Sequence, residues 1–222
     1  MPTFNTVYEV IAGPVLWGAF SLFFGGLAFR LMHLYRLSRK KDQIFYNHVD
    51  FGWGVKSIVH WIIPWASASM RLAPVFTFIA FVFHLLLLAV PIFLSAHNIL
   101  WDEAFGVRLW SLPDGLADAM TLVVLGAGIY LFGRRIKRPE VRILTEAGDY
   151  FLLLLTLLPF ISGFLAFHQW GPYKALILLH ILSGEALLVL IPFTKLGHMV
   201  LFFFTRMFIG FEMGSRRGAR SW

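Results

Sequence analysis

Apolar residues along this chain come in long runs separated by short charged segments. Five runs, at approximately 8–30, 72–96, 116–133, 148–168 and 174–204, reach or approach the roughly 20 residues a helix needs to cross a ~30 Å hydrocarbon core. The third is short and the fifth long, so the third is expected to begin earlier and the fifth to tilt or to extend past the bilayer. Between the first two runs, Phe51, Val55, Ile58, Val59, Ile62 and Ile63 recur at helical spacing, with Lys56, Ser57 and His60 among the more polar positions. Together with Trp53, Trp61 and Trp65, the stretch 51–66 predicts an amphipathic helix lying in the membrane interface, ended by Pro64. The expectation is an all-α integral membrane protein: a single membrane domain over 1–222, built as a five-transmembrane-helix bundle with one interfacial helix between helices one and two.

The connecting segments alternate in charge. Arg30, Arg36, Arg39, Lys40 and Lys41 follow the first run, Arg134, Arg135, Lys137, Arg138 and Arg142 the third, and Arg206, Arg216, Arg217 and Arg220 the fifth. The opposite segments carry Asp102, Glu103, Asp114 and Asp118, with Arg108 and Lys174 as their basic residues. Excess Lys and Arg marks the cytoplasmic side, so the N-terminus is expected outside and the C-terminus in the cytoplasm. The same rule explains the net charge of +7 without nucleic acid. No basic n-region or small-residue cleavage site opens the chain, so no removable signal peptide is expected.

Composition sharpens this reading. The chain is 59% hydrophobic and only 14% charged, with 24 Phe and 8 Trp and a mean hydropathy of +0.74. Soluble domains are about 45–50% apolar and about 25% charged, so lipid must be the solvent for most of this surface. The absence of cysteine excludes disulfides, thiolate-held iron–sulfur clusters and covalently attached c-type heme. Any redox group is therefore held non-covalently, and histidine is the ligand left.

Depth sorts the eight histidines. His33, His48, His60 and His168 fall in loops, in the interfacial helix or at a helix end, where ordinary polar roles suffice. His84, His97, His180 and His198 fall inside or at the ends of runs two and five, where an imidazole is costly and is a functional hypothesis by default; the plain alternative is a hydrogen bond to a neighbouring helix. His180 and His198 are 18 residues apart, about five turns, so on one continuous helix they share a face roughly 27 Å apart along the axis. Two histidines from each of two helices can clamp two heme irons, one per leaflet. Antiparallel directions then pair His97 with His180 on the outer side and His84 with His198 on the inner side. The 13-residue separation of His84 and His97 is about 3.6 turns and points them to different faces of an ideal helix; Pro91 between them could rephase it.

Two elements carry a resemblance. The stretch LHILSGEALLVLIPFTKLGH, ending at His198, resembles the last helix of the gamma subunit of respiratory nitrate reductases, in which two histidines at this spacing flank a P-F-[ST]-[KR] element. Arg134 to Arg142, with Thr145 and Asp149, looks like the cytoplasmic turn between that family's third and fourth helices. The resemblance covers most of the chain. It implies that His180 is an outer and His198 an inner heme b ligand, and His84 matches the family's first helix-two histidine. His97 departs, because the nitrate reductase pattern places its second helix-two histidine three residues closer. The run PIFLSAHNILWDE looks more like the gamma-type membrane subunits of transmembrane redox complexes in sulfate-reducing bacteria, the high-molecular-weight cytochrome c complex and its tetraheme relative.

That resemblance implies a di-heme cytochrome b subunit of a respiratory complex in a bacterial inner membrane. Its partners would be a periplasmic multiheme cytochrome c, other membrane subunits, membrane lipid and a cytoplasmic iron–sulfur subunit, with no nucleic acid. Electrons would pass between that cytochrome c, or the quinone pool, and the iron–sulfur subunit. Lys195 and Arg71 are expected as heme propionate partners, with interfacial snorkelling as the plain alternative. Glu185, deep in run five, is expected at a proton or menaquinone site. No nucleophile triad, phosphate loop or hydrolytic metal motif appears, so no independent enzyme is expected. The rival readings are a structural membrane anchor without functional heme, and a small transporter, for which neither an inverted repeat nor paired broken helices is visible.

Overall fold

In the computed structural model, which describes residues 3–220, all regular structure is helical. Helix α1 spans Phe4–Lys41 and contains one wide π turn at Ile11–Val15, where Pro14 has no N–H to continue the ordinary ladder. Helix α2 spans Phe51–Ile62 and opens on Asp50, whose carboxylate accepts from the Trp53 N–H at 3.2 Å. Helices α3 (Pro74–Phe93), α4 (Ser95–Phe105), α5 (Asp114–Lys137), α6 (Ala147–Phe167) and α7 (Tyr173–Leu190) follow. Helix α8, Lys195–Arg216, begins as a 3₁₀ turn and ends as a π turn. Asp149 has a local role: its carboxylate accepts from the Glu146 N–H at 2.9 Å in the capping box that starts α6.

Six of these helices, α1, α3, α5, α6, α7 and α8, are long and apolar enough to cross a membrane. Large apolar side chains such as Phe29, Leu85, Ile129 and Leu154 are exposed on them. Contiguous apolar surface of this extent is stable against lipid rather than water. The chain is an all-α, multi-pass membrane protein.

The apolar run over 174–204, expected as one helix, is two. The chain leaves the helix after Leu190, and Thr194 is extended, with its hydroxyl accepting from the Leu196 N–H to start α8. Pro192 supplies no N–H to the turn, which leaves main-chain carbonyls to satisfy. The Arg30 guanidinium does so, donating to the carbonyls of Pro192 at 2.8 Å and Thr194 at 3.0 Å. His180 on α7 and His198 on α8 therefore do not share one face of a continuous helix. Nor is Arg30 one more solvated cytoplasmic cation, as its place in the basic stretch suggests; it is half-buried in this break.

The chain packs as two compact units. One comprises Phe78–Gly184 with the N-terminal residues up to Tyr8. Its core joins Phe83 and Val90 of α3, Val124 and Ala127 of α5, and Leu153, Leu157 and Phe160 of α6. Helices α5 and α6 approach closely at Gly128, where a Cβ would lie 2.6 Å from both Leu157 methyl groups; small residues permit such approach in membranes. Helix α6 is the most enclosed of the six apolar helices, with 39% of its apolar window buried against 11% for α7, which makes it the frame on which the site below is built.

The other unit comprises Glu9–Thr77 and the chain from Glu185 onward. Here the amphipathic segment, expected to lie in an interface, is helix α2, docked along α8. A Cβ on Gly210 would lie 2.5 Å from the Trp53 carbonyl oxygen and 2.9 Å from Gly54 Cα. Phe45, before α2, stacks on Phe208 with ring centroids 3.8 Å apart. Helix α2 ends at Ile62, and Trp65 adopts a left-handed φ of 61° in a turn held by Arg71, whose guanidinium donates to the carbonyls of Trp65 at 3.0 Å and Ala66 at 2.8 Å.

Candidate functional site

Within the first unit the structure brings His97 and His180 together. Each gets there through a proline. Three residues after Pro91 the backbone of Leu94 turns extended, ending α3 and starting α4 in a new phase. In an unbroken helix the Pro91 carbonyl would accept from residue 95; here the His97 Nδ1–H donates to it at 2.8 Å. Across the unit, the His180 Nδ1–H donates to the Pro159 carbonyl of α6, also at 2.8 Å. The two imidazole rings are 5.8 Å apart between centroids and inclined by 28°.

A carbonyl oxygen can only accept, so each Nδ1 carries the proton and each Nε2 keeps its lone pair. That is the tautomer a metal-ligating histidine needs, with its other nitrogen oriented by a main-chain acceptor. One iron between two imidazoles, at about 2 Å per nitrogen, sets ring centroids about 6 Å apart. The observed centroid separation, 5.8 Å, is close to that value. Among the described residues no cluster of three or more His, Asp or Glu could hold a metal, so a site here would rest on two protein ligands and a group that brings its own.

Gly163 adjoins the His97–His180 pair. It lies one turn from Pro159 on α6, and a Cβ there would come within 2.8 Å of His180 Nδ1 and 2.9 Å of Cε1. The missing side chain is the space that the ring occupies. Asn98, only 1% exposed, donates to Ser111 Oγ at 2.9 Å, and the Leu112 N–H donates to the Phe93 carbonyl at 2.8 Å. These bonds pin the loop before α5 against the start of α4, beside His97.

The remaining candidates are placed separately. His84 on α3 directs Nδ1 to the Ala80 carbonyl at 2.7 Å, and His198 directs Nδ1 to the Lys195 carbonyl at 2.8 Å; both side chains are exposed. They thus have the same tautomer as the His97–His180 pair. Arg71 is committed to the Trp65 turn. Lys195 is exposed in the first turn of α8. Glu185 is 4% exposed, and neither carboxyl oxygen has a hydrogen-bond partner. A buried polar group without a partner is costly, which sets Glu185 apart from an ordinary core residue.

His168, read from sequence as an ordinary polar residue, sits with Nε2 3.1 Å from Asp118 Oδ2, although without the alignment of a hydrogen bond. Phe164 and Trp170 pack on its ring at 4.4 and 5.3 Å. Three features were missed in the sequence: Gly163, the Arg30 clamp and the His168–Asp118 pair. Arg30 and the pair join residues from different helices far apart in the chain. Gly163 is an ordinary small residue until α7 packs on it. None leaves a local signal.

No family model and no solved structure matches this chain. It is 39% identical over 216 residues to a curated protein of Nitratidesulfovibrio vulgaris strain Hildenborough, over 96% of each chain. That relative is recorded simply as "Protein". The chain belongs to the same family.

Proposed function

We propose that this chain, and the family it forms with the Nitratidesulfovibrio protein, is a di-heme b-type cytochrome subunit of a respiratory redox complex in a bacterial inner membrane. The observation that carries the reading is the His97–His180 pair, with both Nδ1 atoms tied to main-chain carbonyls and both rings set 5.8 Å apart. Heme b, when bound, supplies a one-electron iron couple. The protein's own part is to hold two imidazoles in one tautomer, to keep them in place through Pro91, Pro159 and Gly163, and to exclude water with an apolar sheath. His84 and His198 are proposed for a second, inner heme from their depth in the sequence, the resemblance and the same Nδ1–carbonyl bonding. Lys195 is the favoured propionate partner, since the Arg71 guanidinium is used locally.

The proposed topology keeps five crossings, α1, α3, α5, α6 and α7, with the N-terminus outside. Helix α8 has the lowest mean hydropathy of the six, 1.3, and is docked on amphipathic α2; a crossing would carry Arg216, Arg217 and Arg220 to the outer side against the positive-inside rule. The partners proposed are a periplasmic multiheme cytochrome c, further membrane subunits and a cytoplasmic iron–sulfur subunit. Electrons would exchange with that cytochrome c or with the quinone pool, and Glu185 is the proposed proton or menaquinone contact. This is an electron-transfer subunit in anaerobic respiration rather than an enzyme on its own.

The test is a reduced-minus-oxidised spectrum of the purified membrane protein with a pyridine hemochrome assay. Two heme b per chain are expected. No b-type band would defeat the reading and leave a structural anchor; a single heme lost on His97→Ala, with none left to lose on His84→Ala, would remove the inner site.

A further inference from the structure

Helices α5 and α6 are joined by residues 138–146, and the connection is tightly bonded. Pro139 opens a single helical turn, Pro139–Arg142, at a position where a missing N–H costs little. Each backbone N–H from Val141 to Glu146 then finds an acceptor within the connection or in the first turn of α6. Ile143 donates to the Pro139 carbonyl and Leu144 to the Val141 carbonyl, both at 3.1 Å. The Thr145 hydroxyl adds a bond to the Val141 carbonyl at 2.7 Å, and the capping box of Glu146 and Asp149 closes the far end. A turn satisfied in this way has one shape. That shape holds Ile143 and Leu144 outward, 82% and 79% exposed.

Depth decides what can cover them. The apolar part of α5 ends at Phe132, and Lys137 lies five residues further on, about 7.5 Å along a helix axis. The headgroup zone beyond the hydrocarbon is only about 5–8 Å deep on each side. Ile143 and Leu144 follow after one more helical turn, so in the proposed topology they stand at the outer edge of that zone, away from acyl chains. Exposed apolar surface rimmed by charge marks a protein contact. The rim here is basic: Lys137, Arg138 and Arg142 are exposed beside the pair. Over residues 134–149, five cations stand against three carboxylates, of which Asp149 is buried.

We propose that this turn is the docking surface for an acidic soluble protein on the cytoplasmic side, whose apolar pocket takes Ile143 and Leu144 and whose rim carboxylates meet Arg138 and Arg142. An apolar centre with a polar rim is the ordinary anatomy of a protein interface. Guanidinium groups pair with carboxylates through two parallel hydrogen bonds, and a turn already held in shape loses little freedom when a partner binds. The inference gives the proposed cytoplasmic subunit its place of attachment. It rests on the proposed topology for the side the turn faces, and not on heme.

The experiment is affinity purification of the full chain, in mild detergent at low salt, from membranes of the organism that makes it. Retained soluble subunits are identified and counted per chain, with p-benzoylphenylalanine in place of Leu144 as a photo-crosslinker. The wild type is expected to retain an acidic soluble subunit, to release it as salt rises, and to give a crosslink from position 144 to that same subunit. Truncating an interface anchor costs about tenfold in affinity, so Ile143→Ser/Leu144→Ser should weaken retention on the order of a hundredfold. Exposed ion pairs are worth less, and Arg138→Gln/Arg142→Gln should weaken it roughly fivefold at low salt. Leu72→Ser, which removes a side chain 86% exposed elsewhere, should retain the subunit as the wild type does. Equal retention by the wild type and the serine pair overturns the surface, as does an equal loss in Leu72→Ser. Crosslinks to lipid alone would make the turn a membrane contact, and a wild type that retains no soluble subunit would end the proposal. Heme per chain is measured on the same samples: a chain without heme that still docks through the turn would defeat the heme reading and leave this one standing.

Discussion

Gly163→Ala tests the proposed His97–His180 heme site through a residue that is not one of its proposed ligands. The added Cβ would lie 2.8 Å from His180 Nδ1 and 2.9 Å from Cε1, where carbon contacts are comfortable at about 3.5 Å. Both contacts are with the edge of the ring that also bonds Pro159, one turn away on the same helix, so the ring must retreat from α6 by at least about half an ångström. A retreat of that size stretches the 2.8 Å bond to Pro159 beyond good geometry. Overpacking of this kind costs about 1–3 kcal/mol, and loss of the hydrogen bond about 1 kcal/mol more. Metal ligands whose orienting partner is lost bind about 10–100-fold more weakly, and ligating constellations tolerate about 0.5 Å of error. The assay is heme per chain by hemochrome with electron paramagnetic resonance of the low-spin irons, and circular dichroism as the check on folding. The variant is expected to keep its helicity, lose most of one heme and shift that heme's low-spin signal. Gly126→Ala, where nothing lies within 4 Å of the new methyl, is expected to match the wild type. Full heme content with an unshifted signal in Gly163→Ala would refute the argument that this contact positions an iron ligand.

Three further outcomes are expected. Arg30→Gln withdraws the donors from the Pro192 and Thr194 carbonyls; charged hydrogen bonds of this kind are worth about 1.5–3 kcal/mol, so a lower unfolding temperature and faster hydrogen exchange around Leu196–His198 are expected, and unchanged exchange there would dismiss the clamp. Gly210→Ala puts a methyl against backbone on the facing helix, 2.5 Å from the Trp53 carbonyl and 2.9 Å from Gly54 Cα, which no rotamer change relieves; the α2–α8 pair should loosen and the 42–50 connection become more sensitive to limited proteolysis, whereas Gly25→Ala, with open space around it, should be silent. Glu185→Gln keeps the size of the side chain but removes its capacity to carry a proton, so quinol turnover should fall; unchanged turnover together with unchanged heme potentials would exclude Glu185 from proton or quinone chemistry.

The membrane class was legible because it depends on local composition alone. A run such as Pro74–Phe93 is apolar on every side, and no tertiary arrangement changes the solvent it needs. The amphipathic period of α2 was equally plain, since position on a helix follows from spacing. The Pro91 break was also within reach, because proline removes a donor wherever it falls.

Other features lay between elements. The residues Ile191–Thr194 read as part of one apolar run, because hydropathy cannot see that the turn there is stabilised by an arginine more than 160 residues away. Arg30 looked like one cation among many for the same reason. His97 and His180 were visible as costly polar residues, but the distance between their rings and the room supplied by Gly163 exist only once α4, α6 and α7 have packed. Sequence alone determined which runs need lipid around them and which polar groups fall within those runs, because transfer free energies belong to single residues and short windows. The tertiary structure decided which of those groups meet, which carbonyls hold them and which missing side chain makes room, because contacts between distant segments depend on packing geometry that no local pattern encodes.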